Sequence, residues 1–256
     1  MVNPDKFISL FDKFNEVHDH DVETQLHKPH PERSAQDHFE TVFLQEGQVL
    51  IEAGKSTAYV YFPLDAIVSW QYMLESGDCT EIAMVGREGL VGVYLLLGHN
   101  STPNQGVVQT AGWAIRMRLH VVLNSFNHNP EVQRILLCFA QSLIHQMGQG
   151  NVCRQHHSIE QRLCRMLLMI LDRQNSLQVQ KTHDALGQLL GVRREAVSLA
   201  AARLMKEGLI RYTRGNIEVL DRQGLEEQVC ECYGVLQQGQ KPLCHAHPAR
   251  LYTETI

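Results

Sequence analysis

Short runs of β-branched and aromatic residues dominate the chain from residue 39 to about residue 118, and glycine, proline or aspartate separates one run from the next. The segment Glu75-Ser76-Gly77-Asp78 is one of these turns. Many short strands with turns at nearly regular spacing are typical of an antiparallel sandwich or barrel, which can hold one small ligand or only a packed core. The pattern predicts seven strands, at residues 40–44, 48–51, 58–62, 67–72, 79–85, 106–109 and 113–117.

The pattern changes to a helical period after Asn129-Pro130. Apolar residues then follow one another at steps of four, three, four and four, which places them in one stripe along a helix of about five turns. A stripe this narrow, with glutamine and arginine beside it, favours pairing with the same helix of a second copy, whereas the alternative is packing against the barrel of the same chain. The predicted dimer interface consists of Val132, Leu136, Phe139, Leu143 and Met147.

Two short helices and a hairpin are predicted near the C-terminal end. Thr182 is a good N-cap for a helix over residues 183–190, and Gly191 allows the sharp turn that ends it. A second helix over residues 194–207 follows, and together the two form a helix-turn-helix. Two strands around Thr213-Arg214-Gly215 then form a hairpin, the wing of a winged helix.

The charge distribution agrees with a DNA-binding module. The whole chain of 256 residues has a formal net charge of -5, which excludes a protein that coats nucleic acid by being basic throughout. Between Lys181 and Arg222, however, eight basic and five acidic residues give +3, so the remainder carries -8. A local positive charge on a helix-turn-helix is the footprint expected for duplex DNA, whose phosphates supply most of the affinity.

Other function classes leave no pattern in the sequence. The apolar runs are shorter than the roughly 18 residues of a membrane span, and the first residues do not resemble a secretory signal, so we expect a cytoplasmic protein that does not enter a membrane. A nucleophile elbow, a Walker loop and paired metal ligands are absent, so we predict that the chain is not an enzyme. The His-rich residues 1–38 are interpreted as a solvated leader, although such tracts can bind metal.

The cysteines give no clear pattern. They number seven at irregular spacings, which does not indicate a disulfide framework. The only tight set of soft ligands is Cys230, Cys232, Cys244, His245 and His247, and such ligands suit zinc, but Cys-x-Cys is tighter than the usual spacing and these cysteines could face the core of a C-terminal helix. We therefore assign no metal and no certain cofactor, and a metal- or redox-responsive regulator or binding module, using Cys/His or haem, is the alternative function.

Six segments of the chain match motifs of one known family. They are Tyr61-Phe62-Pro63, Met84-Val85-Gly86-Arg87-Glu88-Gly89-Leu90-Val91-Gly92, residues 182–192, Arg194-Glu195-Ala196-Val197-Ser198, Gly208-Leu209-Ile210 and Arg214-Gly215-Asn216-Ile217. Together they resemble the Crp/Fnr transcription regulators, and the resemblance covers about residues 39–236. The family implies an α+β fold in which an N-terminal antiparallel β-roll of the cyclic-nucleotide-binding type senses a ligand, a long helix dimerises, and a C-terminal winged helix-turn-helix reads DNA. This division gives a leader (1–38), a β-roll (39–128), a dimerisation helix (129–157), a DNA-binding domain (158–236) and a tail (237–256).

The resemblance implies that Arg194, Glu195 and Ser198 of the second helix contact base edges. Their chemistry suits that role, because arginine can bind guanine O6 and N7 and glutamate can accept from cytosine N4. Alternatives are that Glu195 forms a salt bridge to a neighbouring arginine and that Ser198 is a passive surface hydroxyl. Leu199 stands where the family commonly has an arginine, so the operator need not be the one other members read.

Further contacts are expected at the DNA backbone. The resemblance implies that Thr182 anchors a phosphate, and position and charge add Arg193, Arg211 and Arg214 as phosphate contacts. The expected partners are a two-fold-symmetric double-stranded operator, a second copy of the chain and RNA polymerase.

The effector is an unknown small molecule. Cyclic-nucleotide regulators hold the ribose phosphate with Gly-Glu and Arg-Ser pairs, and the equivalent positions here are Gly92-Val93 and about Thr102-Pro103, which cannot bind a phosphate. We therefore expect that cyclic AMP is not bound in the usual mode. Arg87 and Glu88 are the candidate ligand contacts, and the alternative is that they form a charged turn leading into a helix.

Overall fold

A computed structural model describes residues 39–98 and 101–239 of the chain. Residues 1–38, with the predicted leader, lie outside the described residues. The same is true of Cys244, His245 and His247 in the predicted tail.

The N-terminal half forms two antiparallel sheets that share one core. Their strand orders are β1-β7-β3 and β2-β6-β4-β5. Apolar side chains from both sheets, among them Val60, Val68 and Val108, pack into a single cluster. The seven predicted strands are all confirmed, and they span Phe39–Leu44 (β1), Val49–Ile51 (β2), Tyr59–Pro63 (β3), Ile67–Met73 (β4), Cys79–Val85 (β5), Gln105–Thr110 (β6) and Gly112–Arg118 (β7).

Four helical segments belong to or follow this β-roll. The third is the predicted long helix, whose N-cap Asn129 accepts hydrogen bonds from the backbone N–H groups of Glu131 and Val132 at 3.0 and 3.2 Å. It continues unbroken through Gly148 and Gly150. The bounds are Val93–Leu97 (a 3₁₀ helix), Leu119–His128 (α1), Pro130–His156 (α2) and Ile159–Leu171 (α3), and a capping box of Ser158 and Gln161 begins α3.

The apolar stripe predicted to form the dimer interface packs instead against the β-roll of its own chain. Val132, Leu136, Phe139 and Leu143 are at most 6% exposed, and Met147 packs at the edge of the same core. A side chain already buried within one chain has no surface to offer to a second copy, so the assignment of Val132, Leu136, Phe139 and Leu143 is corrected, whereas Met147 is only partly buried and its assignment stays a prediction. The exposed apolar residues of α2 lie on another face and are Leu137, Ile144 and Val152, with exposed fractions of 43, 62 and 45%.

The C-terminal half has its own apolar core, built from α3 and the elements that follow it. Two β-roll residues, Ile67 and Met84, also belong to this second core, so apolar contacts cross between the two halves. Met205, near the end of the second helix of the helix-turn-helix, is 42% exposed. The elements are Gln178–Gln180 (β8), His183–Leu190 (α4), Arg194–Lys206 (α5), Ile210–Thr213 (β9), Asn216–Val219 (β10), Arg222–Gln228 (α6) and Glu231–Gly239 (α7), with strand order β8-β10-β9.

No helix within the described ranges combines the length and the hydropathy that crossing a bilayer requires.

Candidate nucleic-acid interface

The turn between α4 and α5 is fixed by three local features. Thr182 caps α4 because its side-chain oxygen accepts a hydrogen bond from the backbone N–H of Ala185 at 3.1 Å. Gly191 ends α4 in the left-handed region, with a φ of 66°. A Cβ at Gly187 would lie 2.7 Å from the carbonyl oxygen of Val192, so only glycine lets the chain pass that close. The helix-turn-helix geometry therefore follows from the sequence locally.

The N-terminal end of α5 presents unpaired charge to solvent. Arg193, Arg194 and Glu195 are exposed, and within the described residues their side chains form no hydrogen bond or ion pair. The alternative in which Glu195 is neutralised by a neighbouring arginine is thus not what the structure has. Leu199, one turn further, is 67% exposed and lies beside them as an apolar contact. This end of α5 can therefore offer a ligand hydrogen-bond donors from the two arginines, an acceptor from Glu195 and an apolar surface from Leu199.

Ser198 is engaged within the domain. Its Oγ lies 3.0 Å from the carbonyl oxygen of Arg194, to which it donates, and 3.0 Å from Nδ1 of His183. The His183 ring in turn stacks on Tyr212 of β9, with centroids 3.9 Å apart. Burial, and secondarily the charge of Arg194, lower the pKa of His183. Because its single hydrogen is donated to the carbonyl of Arg194, the hydroxyl can donate to a base only by releasing that carbonyl, whereas its oxygen can still accept.

His183 and Tyr212 join three parts of the interface, and no motif in the sequence marks them. His183 belongs to the first turn of α4, Ser198 to α5 and Tyr212 to the wing. A histidine one residue after the N-cap and an aromatic residue in the first wing strand are the only signals that the sequence contains.

The wing ends in a tight hairpin. β9 and β10 are joined by Arg214 and Gly215, whose φ angles of 46° and 85° are typical of a type I′ turn. The Arg214 side chain is exposed at the tip, and the described residues include no partner for it. Arg211 pairs across the hairpin with Glu218 at 2.9 Å, so part of its charge is already compensated. Arg214 is therefore the more available cation of the two.

The two predicted ligand contacts of the sensor domain lie at the junction with the DNA-binding domain. Glu88 is buried, and its Oε1 accepts a hydrogen bond from Nε of Arg173 at 2.7 Å and from the backbone N–H of Gly86 at 3.2 Å. Arg87 donates to the carbonyl oxygen of Asp172 at 3.3 Å. The assignment of this pair as ligand contacts is corrected, because both side chains bind the segment that follows α3.

A cleft separates the β4–β5 hairpin of the β-roll from the start of α5. Asp78 and Thr80 line it on the hairpin side, and Gly191, Arg193 and Glu195 line it on the other. The Oγ1 of Thr80 would lie 3.2 Å from a Cβ at Gly191. The β-roll thus approaches the same helix end that carries the unpaired charges.

The comparison with protein families bears on this C-terminal module. Residues 161–228 match the Crp-like helix-turn-helix domain. This segment of the chain is therefore a Crp-like helix-turn-helix domain. The resemblance noted from short segments is thereby confirmed, and the α+β architecture agrees with it.

Solved structures of Crp/Fnr proteins share the fold over most of the regulator. A Crp/Fnr-family regulator from Eubacterium rectale is 13% identical, with a TM-score of 0.62, over 75% of this chain and 90% of that one. A regulator of the same family from Thermus thermophilus is 23% identical, with a TM-score of 0.61, over 74% and 97%. FixK2 from Bradyrhizobium japonicum is 15% identical, with a TM-score of 0.62, over 75% and 98%. The search of curated proteins gave no match.

Proposed function

We propose that the chain binds a two-fold-symmetric DNA site as a homodimer and regulates transcription from it. The observation that carries the proposal is the pair of exposed, unpartnered side chains Arg194 and Glu195 at the N-terminal end of α5. An arginine and a glutamate in this position can read guanine and cytosine in the major groove. The expected spacing of the half-sites is about one helical turn, ~34 Å.

Phosphate contacts would hold the domain on the duplex. Thr182 at the N-terminus of α4, Arg193 before α5 and Arg214 at the wing tip are exposed and belong to the same domain as the base-reading pair. Arg211 would contribute less, because Glu218 already compensates it. Ser198 would donate to a base only after releasing the carbonyl of Arg194.

Dimerisation is proposed through the exposed face of α2. Leu137, Ile144 and Val152 are spaced by seven and eight residues, which is close to the repeat of two paired helices. Ile144→Glu should dissociate the dimer at micromolar concentration, because it places a charge at the most exposed of the three positions. Sedimentation measures this directly. Leu177→Glu, at a leucine that is 54% exposed outside α2, is the matched control and should remain dimeric. A dimeric Ile144→Glu variant would contradict the proposed interface.

The β-roll is proposed to bind a small-molecule effector other than cyclic AMP in the usual mode. Val93 and Thr102 stand where a cyclic-nucleotide pocket needs a carboxylate for the ribose hydroxyl and an arginine for the phosphate, and both are buried and lack those groups. We favour a non-enzymatic, cytoplasmic regulator that contacts RNA polymerase. The domain boundaries after residues 38, 128, 157 and 236 stay a prediction.

The test is selection of bound fragments from random DNA, followed by affinity measurement on the selected and a scrambled site. The wild type should select an inverted repeat. The double variant Arg194→Ala/Glu195→Ala should lose about 1–3 kcal/mol of discrimination per contacted base pair. Repeating the selection with a metabolite pool identifies conditions in which an effector changes the affinity.

A variant at the wing distinguishes residues that read bases from residues that bind phosphates. Arg214→Gly suits the positive φ of this position, so the hairpin should be retained. It should weaken binding to selected and scrambled DNA alike and reduce the slope of log affinity against log salt by about 0.9, the value for one phosphate.

If the α5 double variant discriminated the selected site from the scrambled site as well as the wild type does, the assignment of Arg194 and Glu195 would be wrong.

A further inference from the structure

Three cysteines and one histidine meet between the end of α2 and the start of α7. Cys153 and His157 come from the C-terminal end of α2, and Cys230 and Cys232 flank the first residue of α7. The three Sγ atoms and the imidazole nitrogen all lie within 4.8 Å of one another. The three cysteines are at most 3% exposed, and His157 is half-buried. No part of the proposed DNA interface uses this cluster, which we call the Cys3His cluster.

The spacing of the cluster fits a tetrahedral metal ion. The Sγ atoms of Cys153 and Cys230 are 3.6 Å apart, and Sγ of Cys232 is 3.4 Å from Nδ1 of His157. Zinc binds thiolate at about 2.3 Å and imidazole at about 2.0–2.1 Å, so the ligand atoms at the corners of a tetrahedron are separated by about 3.6–3.8 Å. We propose that Cys153, His157, Cys230 and Cys232 bind one zinc ion.

The local structure aims the four ligands at one point. Cys153 and His157 are four residues apart, so they share one side at the end of α2. Cys230 and Cys232 precede and begin α7, where the chain turns back toward α2. The Cys-x-Cys pair is visible in the sequence. Its partners Cys153 and His157, however, lie 77 and 75 residues earlier, at the end of the helix that the sequence predicts to be the dimerisation helix.

Neighbouring side chains supply the outer contacts that such a site needs. Glu231 Oε2 lies 3.2 Å from Nε2 of His157, so this carboxylate can hold the imidazole with Nδ1 turned to the metal. The side-chain amide of Gln149 donates to Sγ of Cys232 at 3.0 Å, which favours a thiolate there. A carboxylate behind the histidine and an amide donor to sulfur are arrangements that orient metal ligands.

The charge of the site is balanced by the protein. Three thiolates, a neutral imidazole and Zn²⁺ sum to one negative charge. Arg165 is close enough to Cys153 to interact electrostatically with it, as is Arg162. Nε of Arg165 is buried and has no hydrogen-bond partner within the described residues. A net negative metal site would add a counter-charge near this half-buried cation.

A site with four protein ligands leaves no open position, so the proposed role is structural. The zinc ion would join the end of the central helix to α7, the last described helix. Tyr233 and Gln237 of α7 hydrogen-bond the carboxylate of Asp172, which also pairs with Arg222 of α6 at 2.6 Å. The metal would therefore attach α7, and through it α6 and Asp172, to the end of α2.

The experiment uses the full chain, purified with a thiol reductant and without added metal. Elemental analysis should find about one equivalent of zinc per chain, the content of a single closed site. Cys153→Ser, Cys232→Ser and His157→Asn should each lose most of it. The matched controls are Cys79→Ser, at a cysteine of the β-roll, and His156→Asn, at the neighbouring exposed histidine, and both should retain the wild-type zinc content.

A second measurement does not depend on the folding of any variant. Wild-type protein whose metal has been exchanged for Co²⁺ should show the d–d and sulfur-to-cobalt absorption bands of a tetrahedral thiolate-rich site. Absence of these bands together with absence of zinc would overturn the proposal. So would iron with acid-labile sulfide, a Cys153–Cys230 disulfide in the reductant-free protein with no bound metal, or zinc retained equally by the cluster variants and the controls.

Discussion

The buried ion pair between Glu88 and Arg173 should contribute strongly to the stability of the junction between the two halves. The two side chains are 10% and 3% exposed, and their closest N–O distance is 2.7 Å. Arg173→Leu leaves the carboxylate of Glu88 buried with only the backbone N–H of Gly86 as a donor. Removing one partner of a buried pair costs about 3–5 kcal/mol. Coulomb's law gives the same scale, about 4 kcal/mol for charges 4 Å apart at an effective dielectric constant of 20.

Two further variants test whether the cost comes from the unpaired charge. Glu88→Gln in the Arg173→Leu background removes that charge, so the double variant should be more stable than Arg173→Leu alone. Arg203→Ala is the control, because Arg203 forms an ion pair with Glu160 at a similar distance of 2.8 Å but is 69% exposed. Its loss should cost no more than about 1 kcal/mol.

Urea unfolding measures these differences, and the positions of the tryptophans make it informative. Trp70 and Trp113 both belong to the β-roll, so their fluorescence follows that half, whereas far-ultraviolet circular dichroism follows the helices. The Arg173→Leu midpoint should fall by about 1–2 M. The two probes should also separate, because the junction no longer couples the halves. A shift equal to that of Arg203→Ala, with coincident probes, would refute the reasoning.

Two other predictions concern single residues. Gly89→Ala should destabilise the protein by about 1–3 kcal/mol or more in thermal unfolding, because its Cβ would lie 2.2 Å from the buried ring of Phe139, whereas Gly234→Ala, with open space around it in α7, should be neutral or stabilising. His183 has a lowered pKa in the folded state, so the unfolded state takes up its proton first and stability should fall as the pH drops below about 6.5. His183→Gln should flatten this dependence in unfolding midpoints compared from pH 5 to 8, and an unchanged slope would contradict it.

Local signals explain why the strands and the helix-turn-helix could be predicted from the sequence. Alternating apolar residues and turn residues locate the strands, and the caps at Thr182, Gly191 and Ser158 mark helix ends through contacts three to five residues long. Such contacts are determined by neighbours in the chain. The predicted strands accordingly agree with β1–β7 to within one or two residues at each end.

Long-range contacts explain the corrections. Apolar periodicity shows that α2 has a buried stripe, but it does not show which surface covers that stripe. In the structure the β-roll of the same chain covers it. The face with Leu137 and Ile144 is interrupted by polar residues and is less evident in the sequence. Likewise Glu88 meets Arg173 across 85 positions, and Cys153 meets Cys230 across 77. No local pattern specifies such a partner.

The contacts at the junction indicate how much binding free energy an effector would need in order to act on the proposed DNA interface. Besides Glu88 and Arg173, it contains Lys181, whose ammonium donates to Glu46 and to the backbone of the β-roll. Shifting a two-state equilibrium from 1:99 to 99:1 needs about 5.5 kcal/mol of differential binding. The roughly 3–5 kcal/mol expected for one buried ion pair is close to that value. An effector that separated Glu88 from Arg173 would therefore have to offset a cost of this size by binding the separated state more tightly, while the proposed zinc site kept α7 attached to α2.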